Sequence, residues 1–153
     1  PLSRSPTSYA ESRVEVFRPP CWFNLTAKPI IKDVADKHVD KSDPDVYVMQ
    51  YGQPFELEYE MFFMSDNVTS AVLVAPGSTT HSTNMHQRVV GLEILKNTPS
   101  DQDGSPRQLR LRGPPNGNIA PPGLFMLFLL NGDVYGQSIW VKLPGDNPLY
   151  PGA

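Results

Sequence analysis

The segment Phe55-Glu56-Leu57-Glu58-Tyr59-Glu60-Met61 alternates apolar and acidic residues without a break. Successive side chains of an extended strand point to opposite faces. The pattern puts Phe55, Leu57, Tyr59, Met61 and Phe63 on one face and three glutamates on the other. Neighbouring like charges require water, so this strand has one face in a core and one in solvent. A helix would spread the same residues around its whole circumference and bury no coherent face.

The rest of the chain repeats that logic in short runs. Val46–Met49 is brief and apolar, and Gln108-Leu109-Arg110-Leu111-Arg112 alternates again. Ala71–Ala75 and Leu124–Leu130 are apolar on both faces and read as central, buried strands. Val89–Leu95 and Ser138–Leu143 complete the set, and Asn131-Gly132-Asp133 signals a hairpin turn. No stretch shows helical periodicity, and no repeat appears at propeller or solenoid length. The expected fold is all-β: an immunoglobulin-like Greek-key β-sandwich of seven to eight strands. A closed barrel is the main rival. Leu73, Leu92, Leu127, Leu129 and Phe125 or Phe128 are the expected core.

Composition narrows the function. The 153 residues carry a net charge of −3 and no basic stripe, which argues against nucleic-acid binding. The longest apolar run, Leu124–Leu130, is far below the ~20 residues that span a bilayer. No helical membrane span is expected. The 17 prolines concentrate in residues 1–29, 99–122 and 144–151, where they mark loops and ends. Asn24-Leu25-Thr26 and Asn67-Val68-Thr69 are glycosylation tripeptides and point to secretion.

Three modules are expected along the chain. Residues 1–17, with the short alternating segment Arg13–Phe17, read as the tail of a preceding module. Residues 18–29 read as a connector, and 30–153 as the sandwich, whose first regular strand begins near Asp45. Residues 32–45 are rich in aspartate and lysine and read as a solvated loop, with His38 a solvated side chain in it.

Catalytic motifs are scarce. There is no nucleophile elbow, phosphate-binding glycine loop, Cys-x-x-Cys or His-Glu-x-x-His. Glu56, Glu58 and Glu60 are explained by an exposed strand face. His81 and His86 flank a polar loop, and their odd separation puts them on opposite faces of an extended strand. Spacing alone reads them as histidines packed at a sheet end and does not point to a metal.

Five segments, in order, carry a family resemblance. They are Val16-Phe17-Arg18-Pro19-Pro20-Cys21-Trp22-Phe23-Asn24, Lys28-Pro29-Ile30, Tyr51-Gly52-Gln53-Pro54-Phe55, Thr80-His81-Ser82-Thr83-Asn84-Met85-His86-Gln87-Arg88 and Pro122–Phe128. Together they resemble the C-terminal domain of the galactose oxidase and glyoxal oxidase family of copper radical oxidases. The resemblance covers nearly the whole chain and implies an early-set (E-set) sandwich. It also implies a secreted enzyme that oxidises a small alcohol, aldehyde or sugar with O₂ and releases H₂O₂. Family members hold one copper with two tyrosines and two histidines, one tyrosine being crosslinked to a cysteine. The crosslinked pair and the other tyrosine–histidine pair belong to a kelch-type propeller upstream, the expected partner module. His81 falls on the remaining copper-ligand histidine, so the resemblance implies a metal role for it and for no other residue here. The chain by itself is then expected to be inactive. Cys21 does not sit at the crosslinked motif and reads as a small buried residue of the connector. Asn84, Gln87 and Arg88 match the histidine loop and are expected to shape it through backbone bonds. The alternative is a non-catalytic carbohydrate-binding or structural sandwich.

Overall fold

The computed structural model describes residues 23–63, 66–98 and 105–145. The expected strand at 13–17, the boundary after residue 17, Cys21 and Trp22 lie outside the described residues. Eleven strands are present among the described residues: β1 (Ile30–Val34), β2 (Val46–Val48), β3 (Pro54–Glu60), β4 (Ser70–Val74), β5 (Ser78–Thr80), β6 (Thr83–Met85), β7 (Val89–Thr98), β8 (Arg107–Arg112), β9 (Gly123–Asn131), β10 (Val134–Tyr135) and β11 (Ile139–Leu143). The only helical pieces described are single 3₁₀ turns, such as Leu25–Ala27 and Asp36–His38. The seven clear sequence strands are all there. The additional ones are β1 and the very short β5, β6 and β10, which carry too few apolar residues to register as alternation.

One sheet runs β1-β3-β8-β7 and the other β7-β4-β9-β11-β2, with β10 pairing on β9. β7 belongs to both. Val89–Leu92 pair with β4, whereas Glu93–Thr98 pair with β8, with a register irregularity between Ile94 and Lys96. Such irregularities bend a strand and let it leave one sheet for the other. Nearly all pairings are antiparallel; β2 alone joins β11 in parallel. Inward residues of both sheets form one apolar cluster that includes Phe55, Leu57 and Tyr59 of β3, Leu109 and Leu111 of β8, Leu73 of β4, and Phe125, Leu127 and Leu129 of β9. The molecule is a β-sandwich with β4 interior to its sheet as expected, but the two-faced apolar runs are not buried on both faces: Val72 and Val74 of β4 are half-buried and Leu124 of β9 is exposed. Phe125, not Phe128, is the fully buried phenylalanine of β9.

The outward glutamates are paired with cations or, at Glu58, with a neutral amide. Glu56 lies 2.8 Å from Lys37 and 3.4 Å from Arg110, Glu60 lies 3.2 Å from Lys32, and Glu58 accepts from Gln108. The hydrogen bond from Lys37 holds the Glu56 carboxyl below its ordinary range. That direction is opposite to the one a general acid at Glu56 would need.

Three expectations are corrected. Among the described residues strand structure begins at Ile30, not near Asp45, because β1 pairs with β3 through Ile30↔Glu60 and Val34↔Leu57. Phe63 leaves the buried face because β3 ends at Glu60. His38 is also corrected: it is buried, not solvated. The 3₁₀ turn folds its ring against Phe55 (centroids 4.5 Å apart), and its Nε2 accepts from Glu56 N at 3.2 Å. Burial, and secondarily the Lys37 charge, lower its pKa from the ordinary 6.5, while Glu56 opposes them. The folded state therefore prefers the neutral ring. Its stabilising contribution is complete above pH 6.5 and is lost as pH falls through the lowered value. We expect melting temperature to fall more steeply for the wild type than for His38→Gln as pH drops below 6.5. Parallel profiles would refute the assignment.

Gly136 couples the entering chain to the sandwich. A Cβ there would lie 1.9 Å from the Pro29 carbonyl oxygen, and Gly136 N donates to Leu129 O at 3.0 Å. Gly136→Ala must push Pro29 away and is expected to cost about 1–3 kcal/mol by overpacking. Chemical denaturation checks this; an unchanged midpoint would mean that the contact yields freely.

Candidate functional site

β4 stops at Val74, where Ala75-Pro76-Gly77 break the alternation, and the chain turns back on itself as a two-stranded ribbon. Ser78 pairs with Met85, Thr79 with Asn84 and Thr80 with Thr83. His81 and Ser82 form the two-residue tip, both in the left-handed region at φ 52° and 62°. That is the turn type whose twist matches a right-twisted hairpin. Gly77 lets the strands close, since a Cβ there would stand 3.2 Å from Asn84 Oδ1. Every residue of β5 and β6 is exposed, and among the described residues the ribbon pairs only with itself. A lone two-stranded hairpin is marginal in water, so its base has to be held.

Arg88 holds it. Its guanidinium donates to the carbonyls of Asn118 and Ile119, and its own carbonyl accepts from Ala75 N at 2.9 Å. Gln87 Nε2 donates to Asn84 O at 3.2 Å. Arg88 and Gln87 thus bond backbone groups as expected, while Asn84 contributes through its packing on Gly77.

The hairpin separates the two histidines in a way the spacing did not reveal. His81 sits at the tip, its Nδ1 2.8 Å from Thr80 Oγ1. His86 follows β6 at φ 60°, with its Nδ1 3.2 Å from the Pro76 carbonyl at the ribbon's base. What parts them is the turn at 81–82, not the opposite faces of an extended strand. His38 lies in the core and joins neither.

Thr80 takes Nδ1 of His81, so Nε2 is the ring nitrogen left for a metal. No group of three or more histidine, cysteine, aspartate or glutamate side chains that could hold a metal occurs among the described residues. A single imidazole does not hold copper tightly. The residues fit copper as one donor to a shared site, not as a complete site. Of the glycosylation candidates, Asn24 precedes the 3₁₀ turn at Leu25–Ala27 and Asn67 precedes β4; both are exposed, and neither lies in the hairpin.

No helix among the described residues is long and apolar enough to cross a membrane. No solved structure matches the chain. Among curated proteins it is similar to aldehyde oxidase GLOX1 of Arabidopsis thaliana, at 29% identity over 137 residues, covering 87% of this chain and 20% of that protein. It is likewise similar to aldehyde oxidase GLOX of Vitis pseudoreticulata, at 29% identity over 133 residues, covering 87% of this chain and 23% of that protein. The chain thus spans about a fifth of the length of these relatives. The family model for the galactose oxidase-like, Early set domain matches residues 36–143, from the turn that buries His38 to the end of β11. This chain belongs to the galactose oxidase-like Early set domain family.

Proposed function

We propose that this chain is the C-terminal sandwich of an extracellular copper radical oxidase that oxidises an alcohol or aldehyde with O₂ and releases H₂O₂. The observation that carries the reading is the exposed hairpin with His81 at its tip, clamped at its base by Arg88. The names of the relatives support the oxidase class. A kelch-type propeller, in the same polypeptide or another chain, would supply the other ligands. When bound, copper would act with a tyrosyl radical as a pair of one-electron acceptors. His81 would contribute a neutral nitrogen: in the tautomer with its proton on Nδ1, facing Thr80 Oγ1 at 2.8 Å, the Nε2 lone pair is left to bind. The left-handed backbone at His81 and Ser82 keeps that ring at the extremity of the ribbon. Embedding the ribbon in a partner module would also cover Met85 and Val89, which are exposed here.

The test is on the full-length protein. It should bind one copper and release one H₂O₂ per aldehyde oxidised, while residues 1–153 by themselves bind copper weakly and turn over nothing. A full-length protein without copper, or oxidation without peroxide, would sink the proposal.

A further inference from the structure

Asn67 is exposed in the loop between β3 and β4. Its Oδ1 accepts from Val68 N at 3.0 Å, from Asn97 Nδ2 at 2.7 Å and from the Tyr59 hydroxyl at 2.8 Å. A backbone N–H can only donate, so Val68 fixes which end of the amide is the oxygen. Asn97 is oriented in the same way: its Nδ2 also donates to Val68 O at 3.3 Å, and its Oδ1 faces the Tyr59 hydroxyl at 2.7 Å. The single phenol proton of the buried Tyr59 serves the two amide oxygens in turn. The Oδ1 of Asn67 is thus saturated, while its Nδ2 has no hydrogen-bond partner among the described residues.

Two further observations bear on the same tripeptide. The hydroxyl of Thr69 donates to Leu130 O at 3.2 Å and accepts from Gly132 N at 2.9 Å, which ties it beneath the β9–β10 turn. Phe62 and Phe63 stack edge to face, centroids 4.8 Å apart, in the same loop and are 61% and 44% exposed. Such an apolar pair in the open is surface available for contact. Asn67 precedes β4 and the hairpin follows it, so the two lie at opposite ends of a strand about 17 Å long.

We propose that Asn67 carries an N-linked oligosaccharide, attached before the sandwich closes. In that step Asn67 Nδ2 bonds to C1 of a lipid diphosphate-linked oligosaccharide. The C1–O bond breaks, the lipid diphosphate leaves with its electron pair, and one amide proton passes to solvent. The transferase reads the hydroxyl two residues on, and the fold occupies that hydroxyl, so attachment comes first. Afterwards Oδ1 keeps all three of its donors and the sugar leaves from the free end of the amide. At Asn24, by contrast, the only bond to the amide among the described residues is a long one from Thr26 Oγ1 at 3.4 Å. The proposal rests on the extracellular reading, because the secretory pathway supplies the donor.

The test is peptide mapping of the secreted full-length protein after peptide N-glycosidase F in heavy-oxygen water. Asn67 should be recovered as aspartate carrying the heavy label, and Thr69→Val should remove one oligosaccharide from the intact mass while Thr69→Ser retains it. Both variants leave the Asn67 amide in place, so the result does not depend on tolerance of a change at Asn67. Unmodified Asn67 in the secreted protein overturns the proposal. If the protein is not secreted at all, a version given a secretory leader locates the fault. Occupancy there places the failure in the extracellular reading, and vacancy places it in the site; the proposal falls in either case. Protein folded without sugar and then offered transferase and donor should stay unmodified, and modification of it would overturn the order of events.

Discussion

Replacing His81 by alanine in the full-length protein is expected to remove copper and lower turnover by at least about 100-fold, while the sandwich stays folded. Losses of residues that only support a ligand already run about 10–100-fold, and a ligand should exceed them. The structural cost is small because the ring is exposed and its one described bond is to the neighbouring Thr80. A surface change of this kind should stay within about 1 kcal/mol. His86→Ala is the control. Its ring bonds the Pro76 carbonyl at the base of the ribbon, so copper content should be nearly unchanged. Metal analysis, peroxide release and thermal melting on the two variants decide the matter. If His81→Ala keeps its copper and turnover, the hairpin is not a metal arm, and a binding or structural role becomes the better account.

Leu127→Ala should cost about 2–5 kcal/mol. Leu127 is fully buried in β9, flanked across the sheet by Leu73 of β4 and Ile139 of β11. Truncation removes methyl groups from the contact between the two sheets and leaves a cavity that neighbouring strands, held by their ladders, cannot close. Leu124 lies on the same strand but is 46% exposed, so Leu124→Ala should stay below about 1 kcal/mol. Denaturant midpoints of the two variants make the comparison. Equal losses would mean that burial on β9 does not set stability, and a loss well under 1 kcal/mol at Leu127 would place that strand at the periphery.

The strands with a dry and a wet face were legible because period-two alternation leaves a trace in composition. Phe55, Leu57 and Tyr59 against Glu56, Glu58 and Glu60 needed no neighbour to be read. The hairpin turn at Gly132, where φ is 57°, was legible from Asn-Gly-Asp. β1 was hidden because Lys32 and Asp33 interrupt it and its partner, β3, lies more than twenty residues away. His38 was misread for a related reason: its neighbours in sequence are charged, whereas its neighbours in space are Phe55 and the Glu56 amide.

The sequence by itself determined that the chain is an all-β sandwich with β4 and β9 at its centre, and through its motifs it placed His81 in a loop of one family. Those are properties of local periodicity and of residue identity. Tertiary structure decided where β7 leaves one sheet for the other, which pairs of strands meet across tens of residues, and that residues 78–85 stand out as a ribbon with His81 at its tip and His86 at its base. It also decided that the Asn67 amide is held by Tyr59 and Asn97 from other strands. These outcomes depend on long-range hydrogen bonds and on burial, which no short window of sequence contains.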